Sequence, residues 1–195
     1  MAVLKNLLAL IGLLAIIAIV LVGMKLTPYY SALQSFDNKA LQTYEQMAIK
    51  LLKTGNAVDA TTWKRQVKDG LSVEDVEDVM SSVATELNIK DVGQLPLSKQ
   101  VELMTGEKQR FLKIYMYCNP LAAAKMVDYS DAFSAYLPCR LALVQDKQGK
   151  YWIYSLNMDM MIHGGEPLPP DLKKEAERVR KVILTIMDRA AKGEF

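Results

Sequence analysis

"CRLALVQDKQGKYWIYSLN", residues 139–157, is the stretch that decides the fold. Two runs rich in β-branched and aromatic residues, "CRLALVQD" and "KYWIYSLN", flank the compact turn "KQG" and predict a β-hairpin. Upstream, "FLKIYMYC" (111–118) has the same content and reads as a buried strand, separated from the hairpin by one or two short helices in "PLAAAKMVDYSDAFSAYLP". Further out, "TTWKRQVKDG" (61–70) alternates so that Trp63, Arg65 and Val67 share one side, and "IKDVGQLP" (89–96) predicts another strand. Ser72 with Asp75 three positions on is a capping box, followed by Val73, Val76, Val79 or Met80, Val83 and Leu87 at helical spacing. Ser98 is expected to cap a shorter helix that Gly106 ends. From Asp171 to Ala191 a last helix presents Leu172, Ala176, Val179, Ile183, Ile186 and Ala190 on one stripe. Strands and helices in mixed order, with an adjacent hairpin, predict an α+β domain: helices packed on one mixed or antiparallel sheet.

A chain of 195 residues suits one such domain over 57–195 plus an appendage. With 24 basic and 22 acidic residues interspersed, the formal charge is only +2, so nothing marks a nucleic-acid partner.

The appendage is apolar. "LLALIGLLAIIAIVLV" runs without interruption from Leu7 to Val22, and Gly23-Met24 extends it between Lys5 and Lys25. About 18 residues at roughly 1.5 Å each reach roughly 27 Å, close to the thickness of a bilayer's hydrocarbon core. Leu7, Gly12, Ile17 and Val22 mark this single transmembrane anchor, assigned to residues 1–28. The end of the run lacks the small-residue pattern of a cleavage site, so an uncleaved signal-anchor is expected. Its basic flanks hardly discriminate orientation, but the short leading tail favours an inner (plasma) membrane location with the domain on the extracytoplasmic, periplasmic side. Pro28 is expected to break the helix, and residues 29–56 to form an amphipathic stalk helix with Leu41, Tyr44, Ala48 and Leu51 or Leu52 on its apolar face, lying on the membrane or on the domain.

Chemistry has few candidates. The two cysteines, Cys118 and Cys139, each stand beside the end of a strand, in "YCNP" and "LPCR". Neighbouring strands would bring them to one end of the sheet. Three readings stay open: packed structural thiols, a disulfide closing a loop of about 20 residues and stabilising by roughly 3 kcal/mol, or a redox or ligand role for the thiolates. Copper or haem iron are the candidate groups for the last, although no CxxC motif points to them. A second cluster, Met158, Met160, Met161 and the only histidine, His163, carries thioether and imidazole donors suited to copper; the alternative is that the methionines fill a core gap. Asp128, Asp131 and Asp159 read as caps and turns. One histidine and scattered glycines leave no material for a serine triad or a phosphate loop.

The order of signatures resembles a known family. Cys118-Asn119-Pro120, a helix with "AKM", then Leu137-Pro138-Cys139-Arg140 opening a strand is similar to the domain-of-unknown-function family 302, over roughly residues 60 to 192. The resemblance implies a compact α+β domain, compatible with self-association, whose family character resides in Cys118, Asn119, Pro120, Pro138 and Cys139. The anchor, the stalk and "MDMMIHGGEPLPP" (158–170) are additions to that pattern. They predict a non-catalytic accessory or interaction subunit of a larger membrane complex, respiratory or otherwise oxidative, with no cofactor of its own. Its expected partners are the bilayer, other membrane-complex subunits and a second copy of the chain. The alternatives are a membrane-tethered redox or metal- or haem-handling protein using Cys118 and Cys139, or an enzyme acting on small sulfur compounds.

Overall fold

A computed structural model describes residues 2–195, leaving aside the side chains of Ala2, Val3 and Pro28. Helix α1 (Ala2–Gln34) is followed by α2 (Ala40–Thr54) and the one-turn α3 (Ala57–Ala60). Then come β1 (Thr62–Gln66), α4 (Val73–Glu86), β2 (Lys90–Leu95), α5 (Leu97–Thr105), β3 (Leu112–Cys118) and α6 (Pro120–Tyr129). A 3-10 turn (Asp131–Tyr136) leads to β4 (Cys139–Gln145), β5 (Tyr151–Leu156), the short α7 (Asp159–His163) and α8 (Pro170–Lys192).

The strands form one antiparallel sheet in the order β1-β5-β4-β3-β2, so the expected α+β architecture stands and the sheet is antiparallel throughout. Alternation sorts its faces. Tyr115 and Tyr117 of β3, Leu141 and Leu143 of β4, and Ile153 of β5 are buried against α4 and α8. These helices answer with Val76, Val79, Met80 and Val83, and with Val182, Ile183, Ile186 and Met187. The Tyr115 hydroxyl, buried with this layer, donates to Glu77 Oε1 at 2.5 Å. Burial and then Glu77's negative charge raise its ionisation far above the ordinary phenol range. The capping box at Ser72 is present: Asp75 N donates to Ser72 Oγ at 3.0 Å, and Ser72 N donates to Asp75 Oδ2 at 2.8 Å.

Two local expectations change, and a third point, the facing of α2, is left open by the sequence and fixed by the fold. Helix α1 runs through position 28 to Gln34, so the break falls at residues 35–39 instead of Pro28, and the stalk helix begins at Ala40. Ser98 does not cap α5; its hydroxyl donates to Leu112 O at 3.3 Å and ties that helix to β3. On α2 the residues turned to the domain are Ala40 and Thr43, with Met47 and Lys50 half-buried. Of the expected apolar stripe, Leu41 and Leu52 point away at 81% and 85% exposed, while the Tyr44 hydroxyl reaches the domain at Gly164 O.

In β2 the register slips between Asp91 and Gly93, where Asp91 Oδ1 accepts the Gly93 amide at 2.9 Å. Gly93 sits at φ +152, and a Cβ there would meet Met116 Cε at 2.9 Å. Gly93→Ala is therefore expected to cost about 1 to 2 kcal/mol through backbone strain at this bulge, read by chemical denaturation. An unchanged midpoint would contradict the strain.

Candidate functional site

The Cys-Asn-Pro run has a local structural reason. Cys118 ends β3, the Asn119 side chain caps α6 by accepting the Ala122 amide at 3.0 Å, and Pro120 takes the first helical turn, where no amide donor is needed. Pro138 follows a cis peptide, and Cys139 opens β4 opposite Tyr117. The two cysteines are thus diagonal neighbours on paired strands at one end of the sheet, both half-buried free thiols.

Burial pushes both thiols up. Cys139 is raised to about 11, by desolvation first and then by the neighbouring Cys118; Cys118 is raised by desolvation alone. At neutral pH both are protonated, which is the opposite of the electropositive setting that prepares a nucleophilic cysteine.

A cavity of about 30 Å³ lies beside the pair. Met126 of α6, Phe133 and Tyr136 of the 3-10 turn, and Met158 and Met161 line it with the two cysteines, alongside Asn119 and smaller apolar residues. Cys139, Tyr136, Met158 and Met161 also line a surface cleft of about 290 Å³ that carries Arg140, Tyr154 and Ser155. The inner cavity is large enough for a water or a single ion.

The methionine and histidine cluster is divided by the fold. Met158 and Met161 turn to the sulfur-lined cavity, while Met160 does not line it and its carbonyl accepts the Gly164 amide at 2.8 Å. His163 is buried on the other side of α7, with Nδ1 3.5 Å from Asp37 Oδ1 and Nε2 3.9 Å from Glu177 Oε1. The four residues do not converge on one point. Among the described residues no group of three or more His, Cys, Asp or Glu side chains could hold a metal.

His163 belongs instead to a latch. Asp37, in the turn between α1 and α2, is 4% exposed and accepts from Lys173 Nζ of α8 and from the Lys39 amide at 2.9 Å. Burial alone would raise its carboxyl, but the Lys173 hydrogen bond, the Lys39 amide and the charges of Lys173 and His163 outweigh it, and the net shift is downward. Alongside, Asp37 N donates to Gly165 O at 2.8 Å and Tyr44 hydroxyl to Gly164 O at 2.6 Å. The turn after α1 is thereby clamped to the segment 158–170. Sequence reasoning missed Asp37, Lys173 and Glu177; an aspartate three residues before a helix looks like an ordinary turn residue.

Asp159 pairs with Arg180 at 2.5 Å, a structural role. The anchor residues stand apart from everything else: Leu7, Ile17 and Val22 are 53%, 45% and 55% exposed, and nothing lies within 4 Å of a Cβ built on Gly12. The helix carries a segment, Leu4–Thr27, long and apolar enough to cross a membrane.

Comparison with known proteins agrees with the fold. The family model described as "Domain of unknown function DUF302" matches residues 63–190. The crystal structure of an uncharacterized conserved DUF302 protein from Bacillus stearothermophilus is similar, with a TM-score of 0.54 at 18% identity. The similarity covers 67% of this chain and 98% of that one, and at this identity it speaks for the fold alone. No curated protein matches the chain.

Proposed function

The chain belongs to the DUF302 family, and on that premise we propose that it is a single-pass, membrane-anchored, non-catalytic accessory subunit of a larger membrane complex, with its domain on the periplasmic side of the inner membrane. The observation that carries the reading is the pair of unpartnered apolar surfaces at the N-terminal end. From Leu4 to Thr27 every side chain of α1 is exposed, Ile19 at 71%, while the core of the domain is built from residues outside this stretch. Such a surface needs lipid or another helix around it. Directly after it, α2 turns Leu41, Ala48 and Leu52 outward, a stripe suited to the headgroup boundary. The Asp37 latch holds α2 against the domain, so a span at α1 would set the domain down on the bilayer with that stripe beneath it.

The accessory role is supported by the domain's chemistry. Both thiols are protonated at neutral pH, and His163 is enclosed by Asp37 and Glu177. The sheet face opposite α4 and α8 presents Ile114, Met116, Ala142, Val144 and Tyr154, all half-buried, as a surface for a partner subunit.

The test uses the full chain. Expressed from its own membrane, it is expected to remain in the pellet after alkaline carbonate extraction, to be shaved by protease added to spheroplasts, and to co-elute in fixed stoichiometry with integral subunits of one complex in mild detergent. Placing aspartates at Ile11 and Ile17, at roughly 3 kcal/mol each against insertion, should release it to the soluble fraction. Wild-type protein extracted by carbonate would sink the anchor. Protection from protease would overturn the orientation, and elution of the chain alone would overturn the accessory role.

A further inference from the structure

We propose that the cavity between β3, β4, α6 and α7 is a binding site for one cuprous ion, held by the sulfurs of Cys118 and Cys139 and by thioethers from among Met126, Met158 and Met161. The inference goes beyond membrane anchoring and does not rest on it.

The donor set carries the argument. The chain has 2 cysteines and 11 methionines, and both cysteines and three of the methionines wall this one cavity. They come from four separate places in the fold: the end of β3, the start of β4, the middle of α6, and the entry and first turn of α7. Met158 and Met126 are 6% and 7% exposed, so both side chains are enclosed where they wall the cavity.

The remaining wall is aromatic and aliphatic apart from Asn119, whose side-chain oxygen accepts the Ala122 amide, and it holds no carboxylate, ammonium or imidazole. Magnesium and calcium require several oxygen ligands, and no carboxylate is present to supply them. A structural zinc site takes four thiolate or imidazole ligands, and only two of that kind are present. Thiolate and thioether together select copper in its monovalent state.

Size and access agree with this assignment. About 30 Å³ admits a bare ion and excludes a chelated or hydrated one. Cys139, Tyr136, Met158 and Met161 form the wall shared with the open cleft, which makes them the entry path. On binding, two thiolate–copper bonds and at least one thioether–copper bond form, each thiol gives one proton to water, and no electron is transferred because copper enters as Cu(I).

The test is a competition titration of the full-length protein in mild detergent, without oxygen and with ascorbate, against cuprous bicinchoninate. One equivalent of copper per chain should leave the chelator, and X-ray absorption of the product should show a first shell of sulfur only. Cys118→Ser and Cys139→Ser should each weaken binding by more than the roughly 100-fold upper range seen when an outer-shell partner is lost. Met126→Leu, Met158→Leu and Met161→Leu each keep volume and both thiols, and at least one of them should weaken binding about tenfold. Failure to withdraw copper from the chelator would overturn the proposal. So would methionine variants that all bind as tightly as the wild type, since the copper would then sit on thiols alone, and so would nitrogen or oxygen in the first shell. The absorption experiment on the wild type decides the case even if a substituted chain does not fold.

Discussion

Asp37→Ala is expected to undock the turn between α1 and α2 from the domain, at a cost of about 3 kcal/mol. The Asp37 side chain is 1% exposed and is the partner of Lys173, itself 27% exposed, so the variant strands a partly buried ammonium and removes the acceptor of the Lys39 amide. A loss near 3 kcal/mol is a factor of roughly 100 in the docking equilibrium. It should appear as a similar acceleration of hydrogen exchange at the Lys39 amide and as new proteolysis at residues 35–39, while the sheet stays protected. Asp37→Asn keeps an acceptor for Lys39 but loses the charge, and should fall between. The pH dependence has a defined sign. A carboxylate whose folded pKa is lowered contributes fully above its unfolded value of about 3.9, and its contribution disappears as pH falls through the lower folded one. Docking is thus expected to hold unchanged from neutral pH down to about 5 and to fail only in stronger acid. Uniform exchange rates in wild type and Asp37→Ala would show that the latch holds nothing.

Leu141→Ala is expected to cost about 3 kcal/mol and to lower the melting midpoint by roughly 6 to 12 °C. Leu141 is 0% exposed, opposite Tyr115 on one side and Ser155 on the other in the middle of the sheet, beneath the helical layer. Truncation leaves a void that strands paired on both sides cannot close. Ala142, the next residue, points to the opposite face and is half-buried, so Ala142→Thr should change stability by less than about 0.5 kcal/mol. Equal effects at the two positions would mean the sheet's faces have been assigned the wrong way round.

The contrast between these neighbours was legible in the sequence. Period-two alternation in "CRLALVQD" sets Leu141 and Leu143 apart from Ala142, and the structure buries both leucines. The same held for the stripe on α8 and the box at Ser72, because each is written within a few residues of itself. The site was less legible. Cys118 and Cys139 were expected at one end of the sheet and are there, but the methionines that join them could not be separated from His163, which lies on the same five-residue helix. One turn of helix carries neighbouring residues to opposite sides, and the direction each faces depends on what packs there.

Local order therefore determined the elements, the apolar span and the strand faces, since the spacing of apolar residues sets which side of a helix or strand seeks cover. Tertiary structure alone decided what supplied the cover. Lys173 meets Asp37 across 136 residues, and with that contact α2 turns Ala40 and Thr43 to the domain and Leu41 and Leu52 outward. The sulfur-lined cavity arises in the same way, from pieces of β3, α6, β4 and α7 that have no shared period in the chain. An amphipathic pattern specifies that a face will be buried; only the packing of distant segments specifies against what.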